Sequence, residues 1–179
     1  AMGVKPGDIV NVRILGSDRH PEIVGKHFLE IAELWDKDSW DCLFDLFVEA
    51  IGQTNDRDLK GIIIGDGPER ERLQVLIRER GLEGRVHLLG GTDEATLLSH
   101  YARCLGVFFG PLNEDYGFVT AEAFASRKPV ITTEDSGGPA ELVRDGESGF
   151  IRPPDPGRIA EAFDRLAESK GLAEKMGKA

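Results

Sequence analysis

Two carboxylates and a glycine offer the most chemistry in this chain. Glu114 and Glu122 are separated by seven residues, and Gly117 stands between them in Pro111-Leu-Asn-Glu-Asp-Tyr-Gly-Phe-Val119. Val119, Ala123 and Phe124 recur at helical spacing, which predicts a helix with Glu122 in its first turns and Glu114 in the loop before it. A helix that starts just beyond the carboxyl end of a parallel strand exposes unpaired amides, here of Gly117, Phe118 and Val119, and so suits a phosphate. Gly117 lets that phosphate come close. The carboxylates would repel it, but they can accept hydrogen bonds from sugar hydroxyls on either side. The pattern therefore points to a sugar-phosphate-ribose ligand. Paired carboxylates also serve glycoside hydrolases as acid and base or nucleophile. An open α/β sheet with an anion site at a helix start suits a nucleotide sugar better.

The elements that must position these residues are short apolar strands alternating with amphipathic helices. Leu59 to Ile64, Val86 to Leu89, Leu105 to Phe109, Pro129 to Thr132 and Phe150-Ile151 read as strands, and Lys26 to Leu34 as the first of the series. Helices are expected over Trp40 to Ile51, from Pro68 through Ile77, over Asp93 to Ala102, over Pro139 to Val143 and over Pro156 to Glu168. About six strands with crossover helices make a Rossmann-like open parallel sheet with helices on both faces. Ligands gather at the carboxyl ends of such strands. Gly65-Asp66-Gly67-Pro68 opens on that edge. It lacks the third glycine of a dinucleotide fingerprint, since Arg70 stands there, so a tight turn and a ligand contact are equally good readings.

Bulk properties narrow the classes. A chain of 179 residues suits one ordinary domain with a real core. The net charge of −10 argues against a nucleic-acid surface, and no apolar run approaches the ~20 residues of a membrane span. Cys42 and Cys104 have neither CxxC spacing nor nearby histidines, and His20, His27, His87 and His100 are scattered without metal-ligand spacing, so no metal is expected and a cytoplasmic setting fits. Ala1-Met2-Gly3 reads as an expression scar. Residues 1–25, with one short alternating piece at Ile9 to Ile14 beside charged Arg13, Asp18 and Arg19, read as that scar plus a linker or edge segment, and 26–179 as the domain.

Glu114, Gly117, Glu122, Ala123, Ala125, Pro129-Val-Ile131, Gly137-Gly138, Glu141, Asp145-Gly146 and Gly149-Phe150 together resemble the retaining glycosyltransferases of the group 1 type, also called family 4. The match runs from about Leu59 to Leu166 and is specific, because many spaced residues agree. The resemblance implies one half of a GT-B fold, the carboxyl-terminal donor-binding domain, with the amino-terminal acceptor domain absent. It further implies Glu114 on the transferred sugar, Glu122 on the ribose, and Gly65 and Gly67 near the donor pocket. The donor would be a nucleotide-diphospho-sugar, no other cofactor is implied, and the acceptor would be a sugar or lipid-linked sugar held by the other domain.

One departure bears on activity. In such enzymes the first strand ends in Gly-Arg and a Lys-Gly pair follows, and the two cations grip the diphosphate. Aligned on Leu34, these positions hold Ala32-Glu33 and Asp38-Ser39, with Lys37 one residue away. Two unit charges ~4 Å apart interact by about 4 kcal/mol at an effective dielectric of ~20, against about −8 kcal/mol for a micromolar ligand. Reversing even one charge is therefore on the scale of binding itself. A non-catalytic domain that kept the fold and serves binding or assembly is the main rival reading. A sugar-nucleotide epimerase or hydrolase is a weaker one.

Overall fold

The strand Gly61–Ile64 (β2) has no polar face and is buried at every position, so it must be covered on both sides. The structure, a computed structural model, describes residues 9–12 and 39–179, with side chains from residue 43 onward. With β2, the strands are β1 (Ile9–Val12), β3 (Val86–Gly90), β4 (Gly106–Phe108), β5 (Val130–Thr133) and β6 (Gly149–Arg152). They form one sheet in the order β3-β2-β1-β4-β5-β6, every pairing parallel. Each carboxyl end therefore lies on the same edge. The order reverses between β1 and β4, and that switch point is where such sheets leave a crevice.

The covering helices are α1 (Ser39–Gln53), α2 (Arg70–Glu79), α3 (Glu94–Arg103), α4 (Phe118–Ala125), α5 (Gly138–Leu142), α6 (Pro156–Glu168) and α7 (Lys170–Met176). Strand side chains alternate, so Ile63, Phe108, Ile131 and Phe150 meet α1, α2, α6 and α7, while Ile62, Ile64, Val107, Phe109 and Val130 meet α3 and α4. In the first layer Phe47, Phe108 and Phe163 sit with ring centroids 5.8 to 6.0 Å apart and tie α1, β4 and α6 together. Each fully buried ring contributes about 2–3 kcal/mol. Among the described residues, no helix is long and apolar enough to cross a membrane.

Helix starts follow local chemistry. Asp93 caps α3 by accepting from Thr96 N at 2.7 Å, and Asp155 caps α6 by accepting from Arg158 N at 2.9 Å, with Pro156 in the first turn. At the edge where strands begin, the buried Asp164 of α6 accepts from Asn55 N at 3.0 Å to each oxygen, from Asn55 Nδ2 at 2.9 Å and from Asp56 N at 3.4 Å. That carboxylate fastens the turn leading into β2.

The reading of residues 1–25 as a linker or edge segment needs correction. Ile9–Val12 is an interior strand, in register with all of β2 and pairing with Gly106 and Val107 of β4. Ile9, Val10 and Val12 have the β-branched character of a strand. The charges that argued against it, Arg13, Asp18 and Arg19, all follow Val12 in the chain. The expected strand at Lys26 to Leu34 lies outside the described residues, as do Glu33, Lys37 and Asp38. The short helix α7 was not anticipated; Ser169 starts it by accepting from Leu172 N at 3.2 Å.

Candidate functional site

The loop from β4 to α4 is held open by a second loop beside it. Asn113 N donates to Asp135 O at 2.9 Å, Glu114 N to Ser136 O at 3.0 Å, and Gly138 N returns to Glu114 O at 2.7 Å. Side chains would break this seam. A Cβ on Gly137 would stand 2.7 Å from Glu114 O, and one on Gly138 2.5 Å from Asp115 O. Beneath it, Thr132 Oγ1 lies 2.6 Å from Phe109 O and 2.8 Å from Ser136 Oγ, which locks the end of β5 to the end of β4. Ser136 is thus a buried tie rather than the helix cap its position suggests.

Gly117 is the pivot of the loop. It sits in the left-handed region at φ 59°, ψ 52°, directly before α4, and a Cβ there would lie 2.7 Å from Pro139 Cγ. Both the conformation and the space require glycine. The N–H groups of Gly117, Phe118 and Val119 donate to no acceptor among the described residues, while Thr120 N turns back to Gly117 O at 2.8 Å. Three unpaired amides at the start of an eight-residue helix make a cradle with positive potential.

Glu122 lies one turn further along α4, half-buried, and its Oε2 accepts from the Tyr101 hydroxyl of α3 at 2.9 Å. Tyr101 is 1% exposed, and burial, reinforced by the negative charge of Glu122, pushes its phenol well above the usual tyrosine range. The hydroxyl stays protonated and donates to the carboxylate. Glu114, also half-buried, hangs from the loop on the other side of Gly117.

The structure therefore brings together Glu114, Gly117, Phe118, Val119 and Glu122, at the carboxyl edge beside the switch point. Gly65 and Gly67 share that edge but follow β2, with β1 between them and β4. Gly65, at φ 135°, donates to Gly90 O at 2.9 Å, and Gly67 N donates to Asp66 Oδ1 at 3.1 Å, so their turn also has an internal structural role. Sequence reasoning missed Tyr101 and Pro139. Tyr101 gave no signal beyond a helical apolar position, whereas Pro139 directly after Gly137-Gly138 marks a backbone that something must approach.

Electrostatics at this edge are acidic. Asp66, Asp115, Glu134 and Asp135 are exposed and Glu114 half-exposed. Arg70 lies 4.0 Å from Asp66 and donates to Leu88 O at 3.3 Å. Among the described residues no group of three or more His, Cys, Asp and Glu is arranged to hold a metal ion. A hollow of about 430 Å³ adjoins this edge, lined by Gly110, Pro111, Leu112 and Asp135 of the same two loops together with residues of α1, and one of about 610 Å³ lies beside α7; neither is lined by Glu114, Gly117 or Glu122. The candidate site is an open edge rather than an enclosed cavity.

Known proteins resemble this chain in sequence and in fold. Residues 43–179 match the model of the family described as glycosyl transferases group 1. An exopolysaccharide phosphotransferase of Streptomyces coelicolor is 38% identical over 117 residues, which cover 64% of this chain and 12% of that protein. Alpha-D-kanosaminyltransferase of Streptomyces kanamyceticus is 31% identical over 135 residues, 74% of this chain and 35% of its own length. The solved structure of a mutant of S. aureus TarM, in complex with fondaparinux, alpha-GlcNAc-glycerol and UDP, shares the fold with a TM-score of 0.74 at 18% identity, over 99% of this chain and 32% of that one. The matched stretch is 12 to 35% of the two relatives' lengths.

Proposed function

The chain belongs to the group 1 glycosyl transferases, and on that premise we propose that it is the donor-binding half of a retaining glycosyltransferase, taking a nucleotide-diphospho-sugar. The observation that carries the reading is Gly117, left-handed and backed by Pro139, presenting unpaired amides between Glu114 and Glu122. The amides of Gly117, Phe118 and Val119 receive a phosphate, and the dipole of α4 adds to their pull. Glu122, steadied by Tyr101, accepts from the ribose hydroxyls, and Glu114 accepts from the transferred sugar. The complex of TarM with UDP supports a nucleotide diphosphate as the ligand class. In the whole enzyme these donors would stabilise the leaving diphosphate as its charge develops, which is electrostatic catalysis. The acceptor is a sugar or lipid-linked sugar presented by the remainder of such an enzyme.

A second reading has its own support. The described edge carries Asp66, Glu114, Asp115, Glu134 and Asp135, and the alignment on Leu34 adds Glu33 and Asp38 in place of cations, whereas the strand observed between β2 and β4 is followed in the sequence by Arg13. On that reading the domain has lost its diphosphate grip and serves binding or assembly.

Calorimetric titration with UDP, GDP and ADP at low salt separates the two. The donor reading expects micromolar binding of at least one nucleotide. Binding only after Glu33→Arg plus Asp38→Lys would favour the disabled domain, and no binding by either form would sink the donor reading.

A further inference from the structure

Tyr116 and Phe118 are the most exposed large apolar side chains among the described residues, each 73% exposed. Their rings nonetheless lie together, with centroids 5.7 Å apart and planes 10° from parallel. They flank Gly117 on the loop that carries Glu114, so the stack belongs to the rim of the candidate site. Two rings left mostly in water gain little from folding, and apolar surface of this kind marks binding sites.

The charge around the rings selects the occupant. Glu114 and Asp115 lie on the same loop and Glu134 and Asp135 on the adjoining one, and none of the four forms an ion pair among the described residues. Away from the amides of Gly117 to Val119, an anionic occupant meets repulsion there. A nucleobase would stack, but it brings ring-nitrogen or carbonyl acceptors as well as donors toward carboxylates that only accept. A sugar ring satisfies both features: its C–H face is apolar enough to lie on an aromatic ring, and its hydroxyls donate to carboxylates without adding charge.

The geometry points to Tyr116 and Phe118 as a stacking platform for an uncharged sugar ring of the acceptor. This rests on the donor-domain reading above, in which the half-buried Glu114 takes the transferred sugar and leaves the more exposed rings to the acceptor. An acceptor sugar bearing a carboxylate or phosphate on that ring is disfavoured.

The test is an NMR-observed titration of the 179-residue chain with methyl α-D-glucopyranoside, and with its anionic counterpart methyl α-D-glucuronide, alone and in the presence of UDP or UDP-glucose. Tyr116→Ala should weaken the glucoside about five- to tenfold while Tyr116→Phe keeps it, since only the former removes the ring. UDP affinity should not follow the Tyr116→Ala change, and the glucuronide should bind more weakly than the glucoside. Glucoside binding indifferent to Tyr116→Ala would overturn the platform, as would loss of UDP rather than of the glucoside. Displacement of the glucoside by UDP-glucose but not by UDP would assign the rings to the transferred sugar and overturn the acceptor assignment. Failure of the unaltered chain to bind UDP, with the glucoside effect intact, would strike the donor reading and with it the acceptor assignment, while the rings would stand as a sugar platform.

Discussion

The two edges of the sheet treat the same chemical groups in opposite ways. Where strands begin, the amides of Asn55 and Asp56 converge on an anion that the protein supplies itself, the carboxylate of Asp164. At the edge where strands end, the amides of Gly117, Phe118 and Val119 converge on nothing among the described residues. Both are small nests of N–H groups with an appetite for negative charge. The first is filled and buried and therefore structural. The second is left open on an acidic edge, free to be met by water or by the phosphate proposed above.

The comparison is broken most forcefully at the filled nest. Asp164→Ala removes the acceptor of four hydrogen bonds and leaves the turn before β2 with unmatched donors, at a cost of about 3 kcal/mol. Urea denaturation should show this loss, while nucleotide affinity measured well below the melting temperature stays unchanged. A parallel fall in affinity would mean that the edges are coupled and that the contrast is wrong.

At the open nest the expectation is reversed, with binding hit harder than folding. Gly117→Val places a β-branched residue at φ 59° and its Cβ 2.7 Å from Pro139 Cγ. Folding should lose about 2 kcal/mol. UDP affinity should drop by about tenfold or more, because the amides turn with the backbone. Gly81→Ala is the matched control: φ is 65°, nothing lies within 4 Å of the added Cβ, and the residue is remote from the nest. It should cost about 1 kcal/mol in stability and nothing in affinity.

Most of this architecture is readable in the chain, and the exceptions share a cause. From Gly61 to Glu168 the alternation of apolar runs with period-3.6 segments identifies the described strands and helices, because β2, β4 and β5 are buried on both faces and the helices on one. Pro156 and Asp155 mark the start of α6 in the same way. Gly117 and the two glutamates carry the site for a local reason, since the turn and the first helical turns are contiguous. What could not be read depends on distant partners. Asp164 looks like any acid on a helix until Asn55, 109 residues away, is brought to it. Ile9–Val12 is too short to outweigh the charges that follow it, and only its pairing with β2 and β4 makes it interior. Tyr101 is indistinguishable from a core aromatic until Glu122 meets its hydroxyl.

That last pair gives the smallest effect and the sharpest test of how the open edge is built. Burial, together with the Glu122 charge, raises the Tyr101 phenol above its unfolded value of about 10. A raised acid of this kind contributes stability that is complete below pH ~10 and is lost as pH climbs toward the folded value, because unfolding then releases a proton at up to about 1.4 kcal/mol per pH unit. Tyr101→Phe removes the hydroxyl bond to Glu122, costing about 1 kcal/mol near neutral pH. It also removes this tyrosine's share of the alkaline decline. The two stability curves should therefore converge, then cross, as pH rises from 9 to 11 in urea titrations. Curves that stay parallel would mean that Tyr101 ionises normally and does not hold Glu122. UDP affinity near neutral pH should fall only about threefold in the variant, since Glu122 stays in place as an acceptor and loses only the bond that orients it. An unchanged affinity would detach Glu122 from the ligand and leave the Gly117 amides as the sole anchor of the open nest.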